Sequence, residues 1–126
     1  ICKINSISNY NFDYAKVIKG THKDIMCILF KNNEDILQFE IRVYPQIIQR
    51  VRETYPGYDF EKEFEDEGIY FDVFSRKEMS GENTYIMYFY CGKEKYIVIG
   101  RNDEDRLQDI VIEYKNVVLS CEESLQ

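Results

Sequence analysis

The chain has 126 residues, with 16 Lys and Arg against 23 Asp and Glu and a formal net charge of -7. A chain of this length makes one domain able to build a core without metal or disulfide help. Its acidity and lack of basic runs set it against phosphate backbones and anionic membranes, and no apolar run approaches the ~18 residues of a membrane-spanning helix.

Asn5, Ser6, Ser8, Asn9 and Asn11 mark residues 1–11 as an irregular lead-in, with room for a short strand at 2–4. Residues 12–18 read as a first strand, ended by Gly20-Thr21-His22-Lys23. Residues 24–31 read as a second, apolar throughout 25–30. After the polar turn Asn32-Asn33-Glu34-Asp35, residues 36–44 alternate cleanly. Leu37, Phe39, Ile41 and Val43 face one way and Gln38, Glu40 and Arg42 the other, as in a half-buried strand. Pro45 changes the period. Ile47, Ile48, Val51 and Tyr55 follow helical spacing, and Pro45 suits a first helical turn. Pro56-Gly57 interrupts this helix. Residues 58–67 are expected to resume as a second short helix capped by Asp59, with Phe60 and Phe64 stacked one turn apart. Its remaining positions make an acidic surface that ends at Gly68.

Residues 69–79 return to strand character, and Ser80-Gly81-Glu82-Asn83 turns into the stretch that organises the chain, 85–100. Two β-prone runs, Tyr-Ile-Met-Tyr-Phe-Tyr-Cys and Lys-Tyr-Ile-Val-Ile-Gly, are joined by Gly92-Lys93-Glu94 as a hairpin. The first run is apolar on both faces, which requires cover on both sides and a central place in a sheet. Asn102 then reads as an N-cap, with Asp103, Glu104 and Asp105 in the first helical turn. Leu107, Ile110, Val111 and Tyr114 form the apolar stripe. Asn116 can close this helix, leaving Val117, Val118 and Leu119 for a short last strand or another helical turn. The expected architecture is a single α+β domain over residues 1–126, poorly structured at 1–11 and 121–126. One antiparallel β-sheet of about five to six strands packs with about two to three helices as a sandwich.

Residues 36–119 resemble, in the order of their elements, the PsbP/Mog1-like group of small α/β/α domains. The resemblance is carried by a hairpin ending in Val43-Tyr44-Pro45, a helix, the hairpin at 85–100, and a closing helix running into Lys115-Asn116-Val117-Val118-Leu119. Members of that group include a photosystem II extrinsic subunit, a Ran-binding nuclear transport factor and bacterial lipoproteins. Longin and profilin-like domains share the order of elements, and class I type III secretion chaperones the size and acidity. The resemblance implies a binding domain and transfers no catalytic residue.

The residues themselves offer little chemistry. His22 is the single histidine and sits in a turn, which excludes a His-rich zinc site. There is no nucleophile-elbow, P-loop or dinucleotide glycine motif, and Gly92 and Gly100 read as turn glycines. Asp103, Glu104 and Asp105 lack the spacing of a calcium loop and are explained by the helix dipole. No metal and no cofactor are expected. Cys2, Cys27, Cys91 and Cys121 form no C-x-x-C pair. Free thiols are the favoured state, with Cys2 and Cys121 as the candidate disulfide because they lie near the two termini. The chain begins at Ile1, as a processed or excised chain would, so a cytoplasmic and a secreted or cell-envelope location both stay open.

Eleven Tyr and eight Phe are the more suggestive feature. Tyr85, Tyr88, Tyr90 and Tyr96 read as core; Tyr55 and Tyr58, flanking Pro56-Gly57, read as surface. Tyrosine offers large contact area and one polar tip at low entropic cost. The candidate partner-binding set is therefore Tyr55, Tyr58, Asp59, Glu61, Glu63 and Glu65 on the acidic helix, although a solvated helix face accounts for the same charges. The expected function is that of a non-enzymatic protein-binding domain, a bacterial immunity or inhibitor-type protein or an envelope accessory protein, whose partner has a basic surface. A small-ligand-binding or enzymatic domain with a pocket between sheet and helices is the alternative, and a homodimer is a third possibility.

Overall fold

The computed structural model describes residues 6–7, 10–18, 25–31, 38–44, 55–101 and 103–124, and the side chains of 41–43, 55–101 and 103–121. Alternating apolar and polar residues, rich in aromatic and β-branched types, form most of these segments into strands. The elements are β1 (Ser6–Ile7), β2 (Tyr10–Ile18), β3 (Ile25–Lys31), β4 (Gln38–Tyr44), β5 (Asp59–Asp66), β6 (Ile69–Lys77), β7 (Asn83–Cys91), β8 (Glu94–Arg101) and α1 (Glu104–Ser124). The strands form one sheet in the order β1-β2-β3-β4-β8-β7-β6-β5. Every neighbouring pair is antiparallel. Two four-stranded meanders thus meet where β4 pairs with β8, Ile41 opposite Val98 and Val43 opposite Tyr96.

The 85–100 hairpin occupies the interior position that its two apolar faces require, with β7 between β6 and β8. It closes through two residues, since Cys91 stands opposite Glu94. Gly92, at φ 60, supplies the positive dihedral needed at the first central position. One face of the sheet packs on α1. Leu107, Ile110, Val111, Tyr114 and Val118 of the helix close over Ile41, Val43, Phe71, Val73, Met87, Phe89 and Val98. The opposite face carries a smaller apolar cluster of Phe74, Ile86, Tyr88 and Ile97, with Tyr55, Tyr58, Tyr90 and Ile99 packed against it.

The start of α1 explains two local features. Its cap is Asp103, one residue after the expected Asn102: the Arg106 backbone N–H donates to Asp103 Oδ1 at 3.1 Å. Gly100 is not a turn residue but lies inside β8. A Cβ added there would come within 2.4 Å of Leu107 Cδ2, so the glycine admits the first turn of the helix onto the sheet. Gly100→Ala is expected to destabilise the protein by about 1–3 kcal/mol through overpacking. The check is chemical denaturation, with a lower midpoint and an unchanged slope.

The expected fold class does not hold. Among the described residues the sheet has eight strands where about five to six were expected, and α1 is the one helix where two to three were expected. Residues 58–67 are not helical: Tyr58 leads into strand β5, Asp59–Asp66, and Glu67 begins the turn after it. The spacing of Phe60 and Phe64 suits either period, and in a regular strand it would put both rings on one face. The register slips between Phe60 and Lys62, and the rings part: Phe60 packs on Phe74 at 5.4 Å and Phe64 stacks on Phe71 at 4.6 Å. Pairing with β6 is closed by Glu67 and Gly68, at φ 51 and 84. That pairing outweighs the helix propensity of the Glu and Lys residues. Pro56-Gly57 forms a turn, in which the Tyr58 N–H donates to the Tyr55 carbonyl at 2.9 Å. The first expected helix falls almost wholly outside the described residues. Residues 1–11 contribute β1 and the start of β2, and α1 runs through Asn116 to Ser124.

Candidate functional site

Among the described residues strand β5 ends the sheet, and none of its eight residues is buried. Its sequence, Asp-Phe-Glu-Lys-Glu-Phe-Glu-Asp, carries five carboxylates against one ammonium. Asp59, Glu61, Glu63 and Glu65 of the candidate set are all exposed and are brought together along this strand, though on a sheet edge and not on a helix. Beyond the bulge, Glu63 stands opposite Asp72 and Glu65 opposite Tyr70 on the face away from α1. Tyr70 is 60% exposed and Phe60 43% exposed, so two large apolar bodies flank the carboxylates. The charge of Glu65, and then a hydrogen bond to it, hold the Tyr70 phenol above its ordinary range. The Ser75 hydroxyl donates to Glu61 Oε1. Lys62 is drawn toward the helix, its Nζ 3.3 Å from Glu104 Oε1.

Tyr55 and Tyr58 lie beside this strand, half-buried, with their rings in the second apolar cluster. Tyr55 meets Phe74 edge-on at 5.0 Å and Tyr58 at 6.4 Å. Arg76 lies 4.6 Å over the Tyr58 ring and pairs with Glu78 at 2.8 Å. The Thr84 hydroxyl, and then Arg76, hold the Glu78 carboxyl below its usual range. Tyr58 thus offers a cation-covered ring near the surface, whereas Tyr55 is tied inward.

What holds Tyr55 is a buried polar network that the sequence reading missed. Lys95, 1% exposed, donates from Nζ to the Tyr55 hydroxyl at 2.8 Å. The same ammonium lies 4.1 Å from the Tyr88 ring centroid, 5.2 Å from that of Tyr55 and 5.9 Å from that of Tyr90. Tyr88 in turn donates its hydroxyl proton to Asp72 Oδ2 at 2.6 Å. Aromatic faces and a hydroxyl oxygen offset part of the cost of burying a cation. The signal was available in the hairpin: a two-residue turn places Lys95 opposite Tyr90 and diagonal to Tyr88. A three-residue connection, as read from the sequence, hides that pairing.

Cys121 is disulfide-bonded, contrary to the favoured state of four thiols. Cys2, its candidate partner, lies outside the described residues, as does His22. Cys91 is a buried thiol. Among the described residues no cluster of His, Cys, Asp or Glu could hold a metal ion, and no described helix is long and apolar enough to cross a membrane.

The chain matches no known protein family, no curated protein and no solved structure. The resemblance to PsbP/Mog1-like domains gains and loses nothing from these comparisons.

Proposed function

We propose that this is a non-enzymatic protein-binding domain that presents the acidic strand β5 and its tyrosine flank to a basic protein surface. The observation that carries this reading is the exposure of Asp59, Glu61, Glu63 and Glu65 along one strand, beside the exposed Phe60 and Tyr70. Carboxylates so arrayed steer a positive partner during encounter, and aromatic bodies hold it by burying area at low entropic cost. An immunity or inhibitor-type protein, or an accessory protein of the cell envelope, would use such a surface. The disulfide at Cys121 fits an oxidising setting for either.

The pocket-based alternative asks for tyrosine hydroxyls turned toward a ligand. In this fold Tyr88 gives its proton to Asp72 and Tyr55 accepts one from Lys95, which favours a scaffold role for that network. Reversing three charges together, Glu61→Lys, Glu63→Lys and Glu65→Lys, is expected to slow partner association at least about tenfold at low salt. The difference should shrink as ionic strength rises. Stopped-flow or surface-based kinetics on the captured partner measures this, with circular dichroism to show that the fold is kept. Unchanged capture by a folded triple variant would remove the acidic surface from consideration.

A further inference from the structure

Resting on that reading, we infer that the partner binds by strand addition: an extended segment alternating basic and apolar residues pairs with the outer edge of β5 and extends the sheet. Three features of β5 converge on this. Among the described residues it is the terminal strand of the sheet, and its one strand partner is β6. Solvent reaches every position from Asp59 to Asp66, whereas β6, β7 and β8 each have buried residues. Its side chains set the chemistry of an occupant on both faces.

The register supplies the geometry. A two-residue turn at Glu67 and Gly68 makes Asp66 and Ile69 the hydrogen-bonded pair that closes the hairpin. By the alternation of antiparallel pairing, Phe64 and Lys62 also exchange bonds with β6, and Glu65 turns its N–H and C=O away from β6, toward the outer edge. The bulge between Phe60 and Lys62 bounds the regular stretch at 62–66. Successive residues of an added strand would therefore meet Glu65 on one face, calling for Lys or Arg, and the half-buried Phe64 on the other, calling for an apolar side chain.

Charge decides between occupants. A second copy of β5 would bring five more carboxylates against these five, and like charges opposite one another destabilise a pair. The bulge and charges of β5 are also devices that guard an edge against self-association. A basic strand is the occupant they do not exclude.

The test uses the full chain and, as probe, an eight-residue peptide alternating Lys and Val. Hydrogen exchange at the Glu65 amide is expected to slow at least tenfold when the peptide is bound. Glu65→Pro removes that outward N–H and the charge together, and Glu65→Ala removes the charge alone. The proline variant is expected to bind the peptide at least tenfold more weakly than the alanine variant. If the proline variant does not fold, the exchange measurement on the unaltered protein decides by itself. No peptide binding, unchanged Glu65 exchange, or equal affinity of folded proline and alanine variants each means a guarded edge only and overturns strand addition. Peptide binding that is lost on triple charge reversal but leaves Glu65 exchange unchanged would sink strand addition and keep the acidic surface. Partner capture indifferent to that reversal would sink the surface reading itself.

Discussion

Truncating Phe89 to alanine is expected to cost about 3–5 kcal/mol, enough to unfold a large fraction of a marginally stable domain. Phe89 is fully buried on β7. Its ring lies 5.1 Å from Tyr96 on β8, 5.4 Å from Phe71 on β6 and 5.9 Å from Tyr114 on α1. One side chain therefore joins three neighbouring strands to the helix. The walls of the cavity left by truncation are rings and sheet backbone, which collapse poorly, so the loss should sit in the upper part of the range. Tyr114 is almost as enclosed, and burial pushes its phenol well above its ordinary range. Loosening α1 would let water reach that hydroxyl. Denaturant titration followed by near-ultraviolet dichroism reads both effects. A loss below about 0.5 kcal/mol, the range of ordinary surface changes, would show that the core is centred elsewhere.

The importance of Phe89 was legible before any coordinates. Strand alternation on 85–91 puts Tyr85, Met87, Phe89 and Cys91 on one face, and these four belong to the cluster that packs on the helix. The stripe Leu107, Ile110, Val111 and Tyr114 is buried as its spacing predicts, because long, strongly periodic segments report their burial in sequence. What failed was the segment at 58–67. Phe60 and Phe64 are four apart, which satisfies a helix face and a strand face alike, and the intervening Glu and Lys residues favour helix locally. The strand exists because β6 pairs with it, a non-local fact. The nearest local sign was Glu67-Gly68 between alternating runs, which lacks the Asn or Asp that marks such a turn most strongly.

The same distinction separates the parts of the site. Acidic residues spaced at 59, 61, 63 and 65 follow a period of two, which in a strand would give one acidic face. The slip between Phe60 and Lys62 and the sheet-edge position make the strand exposed on both faces instead, so charge composition proved more informative than charge spacing. Tyr55, expected at the surface, is half-buried. Nothing in the neighbourhood of Tyr55 in sequence hints at Lys95, 40 residues away, to which it is bonded. Such networks are visible only once strand register is known, because register decides which side chains stand diagonal to one another.

Replacing Asp66 by alanine is expected to cost about 3 kcal/mol, or roughly 10 °C in Tm for a domain of this size, although Asp66 lies on the exposed edge strand. The reason is Lys115. Its side chain is 0% exposed, and its Nζ lies 2.5 Å from Asp66 Oδ2. It also donates to Asn116 Oδ1 at 2.7 Å and lies 3.8 Å from Glu67 Oε2. Removing the carboxylate strips a buried ammonium of its nearest counter-charge, which in a pair buried on both sides typically costs about 3–5 kcal/mol; Asp66 is itself 33% exposed, which lowers the loss. The remaining contacts with Asn116 and Glu67 place this case at the low end. Combining Asp66→Ala with Lys115→Met should recover most of the loss, since an apolar side chain of similar length removes the stranded charge. A double-mutant cycle should therefore show a coupling of about 2 kcal/mol. The contact also ties α1 to the β5–β6 turn, holding the acidic strand on the sheet. On the function proposed above, Asp66→Ala should weaken partner binding and stability together, whereas charge reversal at Glu61, Glu63 and Glu65 should weaken binding alone. An Asp66→Ala protein as stable as the parent would mean that Lys115 reaches water on its own, and the clasp between helix and edge strand would be lost from the account.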